Sequence, residues 1–257
     1  MYNVVIEGEG RPILIVHGGM GNLDSWQRVA SRLVGRFRVA RMTRRQYRLD
    51  EPGGVAMEQE VAAVREVAAA LDHPVLVGHS SGAVLALEAL VADPGLYSAV
   101  VLYEPPLVVD APLGAEANVR ARAALDAGKP GTAFAIFLRE VAGMRSPMVA
   151  LATFAMNRQG GKIKPLVERQ LDDNDAINAL GRRLEAYAKI AVPVLLLQGS
   201  RSPRHLHDRL DALAAVLPQA SRTVLAGQGH IAERTAPTRL AEAIATFVEA
   251  HPAPSRR

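Results

Sequence analysis

The 257-residue chain contains no cysteine. That absence excludes disulfides, thiolate metal sites and a cysteine nucleophile, and it suits a reducing compartment. No apolar run approaches the ~20 residues needed to span a bilayer. The stretch Met1-Tyr2-Asn3-Val4-Val5-Ile6-Glu7 lacks the charged start and long apolar core of a signal peptide. The expected location is therefore cytoplasmic, with no membrane partner. Internal repeats and low-complexity segments are absent as well.

What remains is ordinary for a soluble globular protein: 49% hydrophobic and 22% charged residues. The length suits one domain, or one domain carrying an insertion. The formal charge is +4 and the pI about 9.7. Arginine supplies nearly all the positive charge, and much of it comes early, at Arg28, Arg32, Arg36, Arg38, Arg41, Arg44, Arg45 and Arg48. The segment alternates between a helix face and a strand edge with little aromatic interleaving. It reads as a solvated surface, and no nucleic-acid partner is expected.

Short apolar runs alternate with amphipathic ones. Strands are predicted at 4–6, 12–16, 37–40, 74–77, 99–103, 192–198 and 222–225. Between them lie helices: one carrying Trp26, Val29, Ala30 and Leu33, then 55–71, 81–92, 204–216 and 238–250. Asp24 or Ser25 is placed to cap the first helix, and 43–54 reads as a polar loop. This rhythm predicts an α/β fold with a mostly parallel, doubly wound sheet. It stops between Pro105 and about Lys189, where only helical stretches appear: 115–127, 132–141 and 167–185. The expected organisation is a core of 1–104 and 191–257 with a helical cap, 105–190, over the carboxyl ends of the strands.

Gly78-His79-Ser80-Ser81-Gly82 joins a predicted buried strand directly to a run of strong helix formers. Ser80 at such an apex is a nucleophile elbow, with glycines where a Cβ would collide with neighbouring strand or helix. A serine hydroxyl needs a base. His230 in Ala226-Gly227-Gln228-Gly229-His230 follows the last predicted strand and lies at the same sheet edge. His79 is expected to point away from the serine and to be structural. Donors for an oxyanion are the backbone N–H of Ser81 and that of Gly19, in His17-Gly18-Gly19-Met20-Gly21. His205, His207 and Asp208 sit on a polar stretch and read as solvated, so no metal is expected.

The His-Gly-Gly loop, the Gly-His-Ser-Ser-Gly elbow and the late Gly-Gln-Gly-His together resemble the α/β-hydrolase fold superfamily. The resemblance covers almost all of the chain outside 105–190. It implies esterase, lactonase or related chemistry with no metal or organic cofactor, and the serine argues against the branches that use aspartate at this position. It also implies an aspartate in the loop after strand 192–198, but that loop reads Gln198-Gly199-Ser200-Arg201-Ser202-Pro203. Ser202 stands at the expected position. Some superfamily members take their acid instead from the end of the preceding strand, here Glu104 in Tyr103-Glu104-Pro105-Pro106. A carboxylate ending an otherwise apolar strand is costly unless paired, and His230 is the natural partner. Asp208 and Asp110 are the alternatives.

The expected activity is cleavage of an ester or lactone of a mainly apolar small molecule through an acyl-enzyme. A C–C bond-acting or non-hydrolytic enzyme of the same fold, and a ligand-binding protein with a vestigial triad, are the other readings. Met20, Trp26, Phe134, Phe137, Met144 and Phe154 are the candidate substrate contacts, with Leu138, Met148 and Met156 beside them. A homodimer is left open.

Overall fold

The computed structural model of the chain describes residues 3–143, 149–150, 153–154, 157–158 and 163–252. Seven strands form one sheet: β1 (Val4–Glu7), β2 (Pro12–Val16), β3 (Arg38–Met42), β4 (Val75–His79), β5 (Ala99–Tyr103), β6 (Val194–Gly199) and β7 (Ala220–Leu225). Their order is β1-β3-β2-β4-β5-β6-β7. Only β1 runs antiparallel to its neighbour; every other pairing is parallel.

The central strands are apolar on both faces, as a parallel sheet covered on both sides requires. Leu14, Val16, Leu76, Val100, Leu102 and Leu196 pack toward α2 (Met57–Ala69), α3 (Ser81–Ala92) and α8 (Arg204–Ala214). Ile13, Ile15, Val75, Val77, Val101 and Leu197 pack on the other face against α1 (Gln27–Leu33) and α10 (Pro237–Ala250). Helix α3 is buried along Ser81–Leu90. A helix apolar on all sides must be enclosed on all sides, and this one lies on the sheet with α2 and the helix over Lys164–Leu180 packed against it.

Between β5 and β6 the described residues contain no strand. They form α4 (Ala115–Asp126), α5 (Pro130–Ile136) with a π-helical turn over Phe137–Val141, α6 (Lys164–Leu180) and α7 (Leu184–Tyr187). A separate small cluster of Ala121, Leu125, Ala133, Val167 and Leu171 holds α4, α5 and α6 together. Helix α6 starts earlier than the pattern suggested, with Pro165 in its first turn, where a missing N–H costs nothing. It stops at Leu180, ahead of Gly181 with φ 63°. The short helix α9 (Ala232–Thr235) precedes α10.

Three local expectations need correction. The turn before α1 is capped by Asn22, whose Oδ1 accepts from Asp24 N–H at 2.9 Å, rather than by Asp24 or Ser25. The early arginines are not uniformly solvated: Arg41 and Arg44 are buried. The segment after β3 is a buried polar cluster rather than a free loop, with Arg44, Gln46 and Tyr47 all inside. Among the described residues, no helix is long and apolar enough to cross a membrane.

Candidate active site

Ser80 lies between the last residue of β4 and the first of α3 with φ 53° and ψ −127°. The turn is tight enough to dictate its flanks. A Cβ on Gly78 would stand 2.5 Å from Ala83 Cα, and one on Gly82 would stand 2.3 Å from the His17 carbonyl. Met20 and Glu104 also hold positive φ, 53° and 47°. Each such non-glycine residue costs about 1–3 kcal/mol; these three stand past the carboxyl ends of β2, β4 and β5, while Asp72 and His73, also at positive φ, precede β4.

Glu104 stands just past the end of β5 and is wholly buried. Its Oε1 accepts from the Gly199 N–H at 2.6 Å, and its Oε2 lies 2.7 Å from His230 Nδ1. Since a carboxylate only accepts, Nδ1 carries the proton, and Nε2 is the nitrogen left for other work. The other two acid candidates lie elsewhere: Asp208 pairs with Arg204 on the surface, and Asp110 is exposed. Ser202 is buried and its hydroxyl has no partner among the described residues, so the position where the fold was expected to carry an aspartate makes no bond to His230.

His79 has the structural part expected of it, but its ring borders the cavity beside His230 instead of lying away from the site. Its ring stacks on Tyr103 at 4.9 Å and lies 5.0 Å from the ring of His230. Its Nε2–H donates to the His230 carbonyl at 2.9 Å. Burial, then the neighbouring His230, drives its pKa well below the usual histidine value, so it braces the loop as a neutral ring. Tyr103 helps: its hydroxyl donates to the Gly229 carbonyl and accepts from the Ala232 N–H.

Ser80, Ser81, Gly19, Met20 and His230 border one cavity of about 340 Å³, within the range of small-molecule sites. Phe134 and Phe137, with Leu138, Val141, Ile177 and Leu206, make much of its wall apolar. Two expected contacts are absent from that wall. Trp26 is packed under the sheet in the core with Val29 and Leu33, its ring 5.7 Å from that of His79. Phe154 is 63% exposed, with the Arg158 guanidinium over its ring. The sequence shows that an aromatic is present but not which way it faces. Met144, Met148 and Met156 lie outside the described residues.

Sequence reasoning missed Gln170, Asn174, Glu233 and Arg234, which also border the cavity, and read His205, which borders it too, as solvated. It read His207 as solvated, yet the ring bonds the Gly199 carbonyl at 3.0 Å. Among the described residues, no three His, Asp or Glu side chains gather to hold a metal ion.

His17, at the entrance to the glycine loop, is buried and neutral. Its Nε2 accepts from the Arg44 N–H at 3.1 Å, so its Nδ1–H donates to the Gly18 carbonyl at 2.7 Å. Burial, then the adjacent Arg44 charge, lowers its pKa from 6.5 to about 4. The unfolded chain takes up this proton near 6.5 and the folded protein only near 4, so acid favours unfolding across that window. Stability fully present above pH 6.5 should fall by on the order of 3 kcal/mol as pH drops toward 4. Urea unfolding of wild type and His17→Gln over this range is the check. The variant should have the shallower pH dependence, and parallel curves would contradict the assignment.

The chain belongs to the alpha/beta hydrolase family, whose model matches residues 13–243. Among solved structures it is similar to an alpha/beta hydrolase from Sphaerobacter thermophilus. That match has 26% identity, 96% of this chain and 95% of that one covered, and a TM-score of 0.81. It is also similar to BpoC of Mycobacterium tuberculosis, a non-heme bromoperoxidase by name, at 24% identity, 98% and 97% coverage and TM-score 0.75. A third similar structure is an enol-lactonase from Burkholderia xenovorans, at 18% identity, 96% and 95% coverage and TM-score 0.72. No curated protein matches the chain.

Proposed function

We propose that the protein is a serine hydrolase that opens an ester or lactone of a mainly apolar small molecule through an acyl-enzyme. Ser80 Oγ attacks the carbonyl carbon while His230 Nε2 accepts its proton. Glu104 holds the ring by Nδ1 and stabilises the imidazolium as it forms. The Ser81 and Gly19 N–H groups hold the oxyanion, the first of them at the amino end of α3. Collapse of the tetrahedral adduct expels the alkoxide, which takes the proton from His230. Water then adds by the same route and frees the acid. Residues 105–190 act as a cap that supplies the apolar wall.

The observation that carries this reading is the 2.7 Å contact between a fully buried, otherwise satisfied carboxylate and Nδ1 of a histidine that borders the same cavity as Ser80. A buried carboxylate that only filled space would not be held so as to leave the opposite ring nitrogen free. The enol-lactonase among the structural relatives supports including lactones among the substrates tested.

A fluorophosphonate probe is expected to label Ser80 within minutes, and His230→Ala should abolish the labelling. Intact-mass spectrometry followed by a panel of short-chain esters and lactones checks both the residue and the acyl class. A protein that stays unlabelled, or is labelled equally in His230→Ala, is not a serine hydrolase of this kind.

A further inference from the structure

Arg44 follows β3 and is completely buried. A buried guanidinium is tolerable only if its charge is compensated and most of its donors are satisfied; here Nε lacks a partner among the described residues while both Nη groups are bonded. Its Nη2 donates to Asp173 Oδ1 at 2.7 Å and its Nη1 to Asp173 Oδ2 at 3.0 Å, while Glu60 Oε1 lies 3.3 Å from Nη2. Nη1 also donates to the Ser81 hydroxyl at 2.8 Å. Burial alone would raise the Asp173 pKa. The Arg44 charge and the hydrogen bonds from Arg44, Ser81 and Tyr47 instead carry it below the ordinary carboxylate value.

The partners of this ion pair are unusual in where they sit. Asp173 belongs to α6, in the insertion, whereas Ser81 is the first residue of the helix behind the elbow. One turn before Asp173, the Gln170 side chain lies directly over Gly19: a Cβ there would stand 1.8 Å from Gln170 Oε1. Tyr47 ties the two together, its hydroxyl 2.9 Å from Asp173 Oδ2 and 3.3 Å from Gln170 Oε1. From the other side, the Arg44 N–H bonds His17, whose ring holds the Gly18 carbonyl. A single buried cluster therefore touches the Ser81 side chain and the Gly18–Gly19 peptide, and both Ser81 and Gly19 border the cavity.

We propose that Arg44 and Asp173 are positioning residues: their ion pair clamps α6 to the start of α3 and to the glycine loop, and so sets the spacing of the two oxyanion donors. This rests on the acyl-transfer reading above. The clamp does not touch the substrate. It acts by fixing Ser81 through its hydroxyl and Gly19 through Gln170, and a displaced donor loses its effect only on the charge that develops in the transition state.

The consequence is a loss confined to kcat. Removing an oxyanion donor outright costs about 10²–10³ in kcat, and a misplacement of about 1 Å costs up to about 10². Asp173→Asn and Ser81→Ala are therefore expected to lower kcat for p-nitrophenyl butyrate by about 10- to 100-fold with KM nearly unchanged. They should also weaken inhibition by an aryl trifluoromethyl ketone by the same factor. That ketone adds to Ser80 Oγ, its carbonyl electron pair becoming the oxyanion while His230 takes the serine proton. It therefore reads the donors directly.

Glu88→Gln is the control. Glu88 lies on the same helix, buried, and accepts from Arg183 Nη2 at 2.9 Å and Tyr187 Oη at 2.8 Å, away from the cavity. It should lower Tm while sparing kcat and ketone affinity. If Asp173→Asn fails to fold, Ser81→Ala, which removes only the hydroxyl link and keeps the ion pair, decides alone. The clamp is refuted if the folded variants keep wild-type kcat, or if Glu88→Gln loses kcat to the same degree. A wild-type protein that neither turns over the ester nor binds the ketone would overturn the acyl-transfer reading itself, and the positioning role with it.

Discussion

Ser80→Ala is expected to lower kcat by about 10⁶, the scale seen when the nucleophile of a serine triad is removed, and to abolish fluorophosphonate labelling. The substitution is unusually clean. Alanine keeps the Cβ, so the left-handed backbone at φ 53° is neither relieved nor worsened, and the glycines at 78 and 82 still admit the turn. One oxygen on the cavity wall is lost and thermal unfolding should barely move. Some acceleration over water should survive from the oxyanion donors and from substrate binding. Single-turnover kinetics on the preferred ester or lactone is the measurement. Retention of more than about one part in 10² would point to water activated directly by His230 instead of an acyl-enzyme.

Glu104→Gln should be the next largest loss, about 10⁴ in kcat. Glutamine preserves size, and its carbonyl oxygen can still accept from the Gly199 N–H, the bond now 2.6 Å long. Its NH₂ would then face His230 Nδ1 as a donor. The ring would have to switch tautomer, moving its proton to Nε2, where it cannot receive another from Ser80. Ser202→Ala is the companion measurement. Its hydroxyl bonds nothing among the described residues, so kcat/KM should be essentially unchanged. Steady-state kinetics on both variants, with circular dichroism to confirm folding, separates the two candidate positions. The opposite ordering of losses would make Ser202, not Glu104, the group on which His230 depends.

The central strands were legible because they are buried on both faces and therefore read as uninterrupted apolar runs. Ser80 was legible because only glycine fits on either side of so sharp a turn. Glu104 could be found from the cost of leaving a charge at the end of an apolar strand. The same reasoning applied to Arg44, two residues past β3, would have found it too, but a cluster of neighbouring arginines suggested solvent. Its partner Asp173 lies 129 residues away in the chain, and no local periodicity records a pairing at that distance. Trp26 and Phe154 failed for another reason. An apolar side chain suits a pocket wall, a core or a surface equally well, and only the packing of neighbouring elements decides among them.

Ser80 and Glu104 follow adjacent strands, and their peptide N–H groups reach across to the carbonyls of Tyr103 and Leu197 at 2.9 and 3.3 Å. The distance between these two groups is thus inherited from interstrand spacing, roughly 4.8 Å, and loop length has little say in it. The imidazole arrives differently, on a segment moored by the side chains of His79 and Tyr103, residues that end those same two strands. The sheet edge acts as both ruler and anchorage. Lengthening or shortening connections elsewhere in the chain can therefore drift freely, provided the moorings at β4 and β5 keep their aromatic rings.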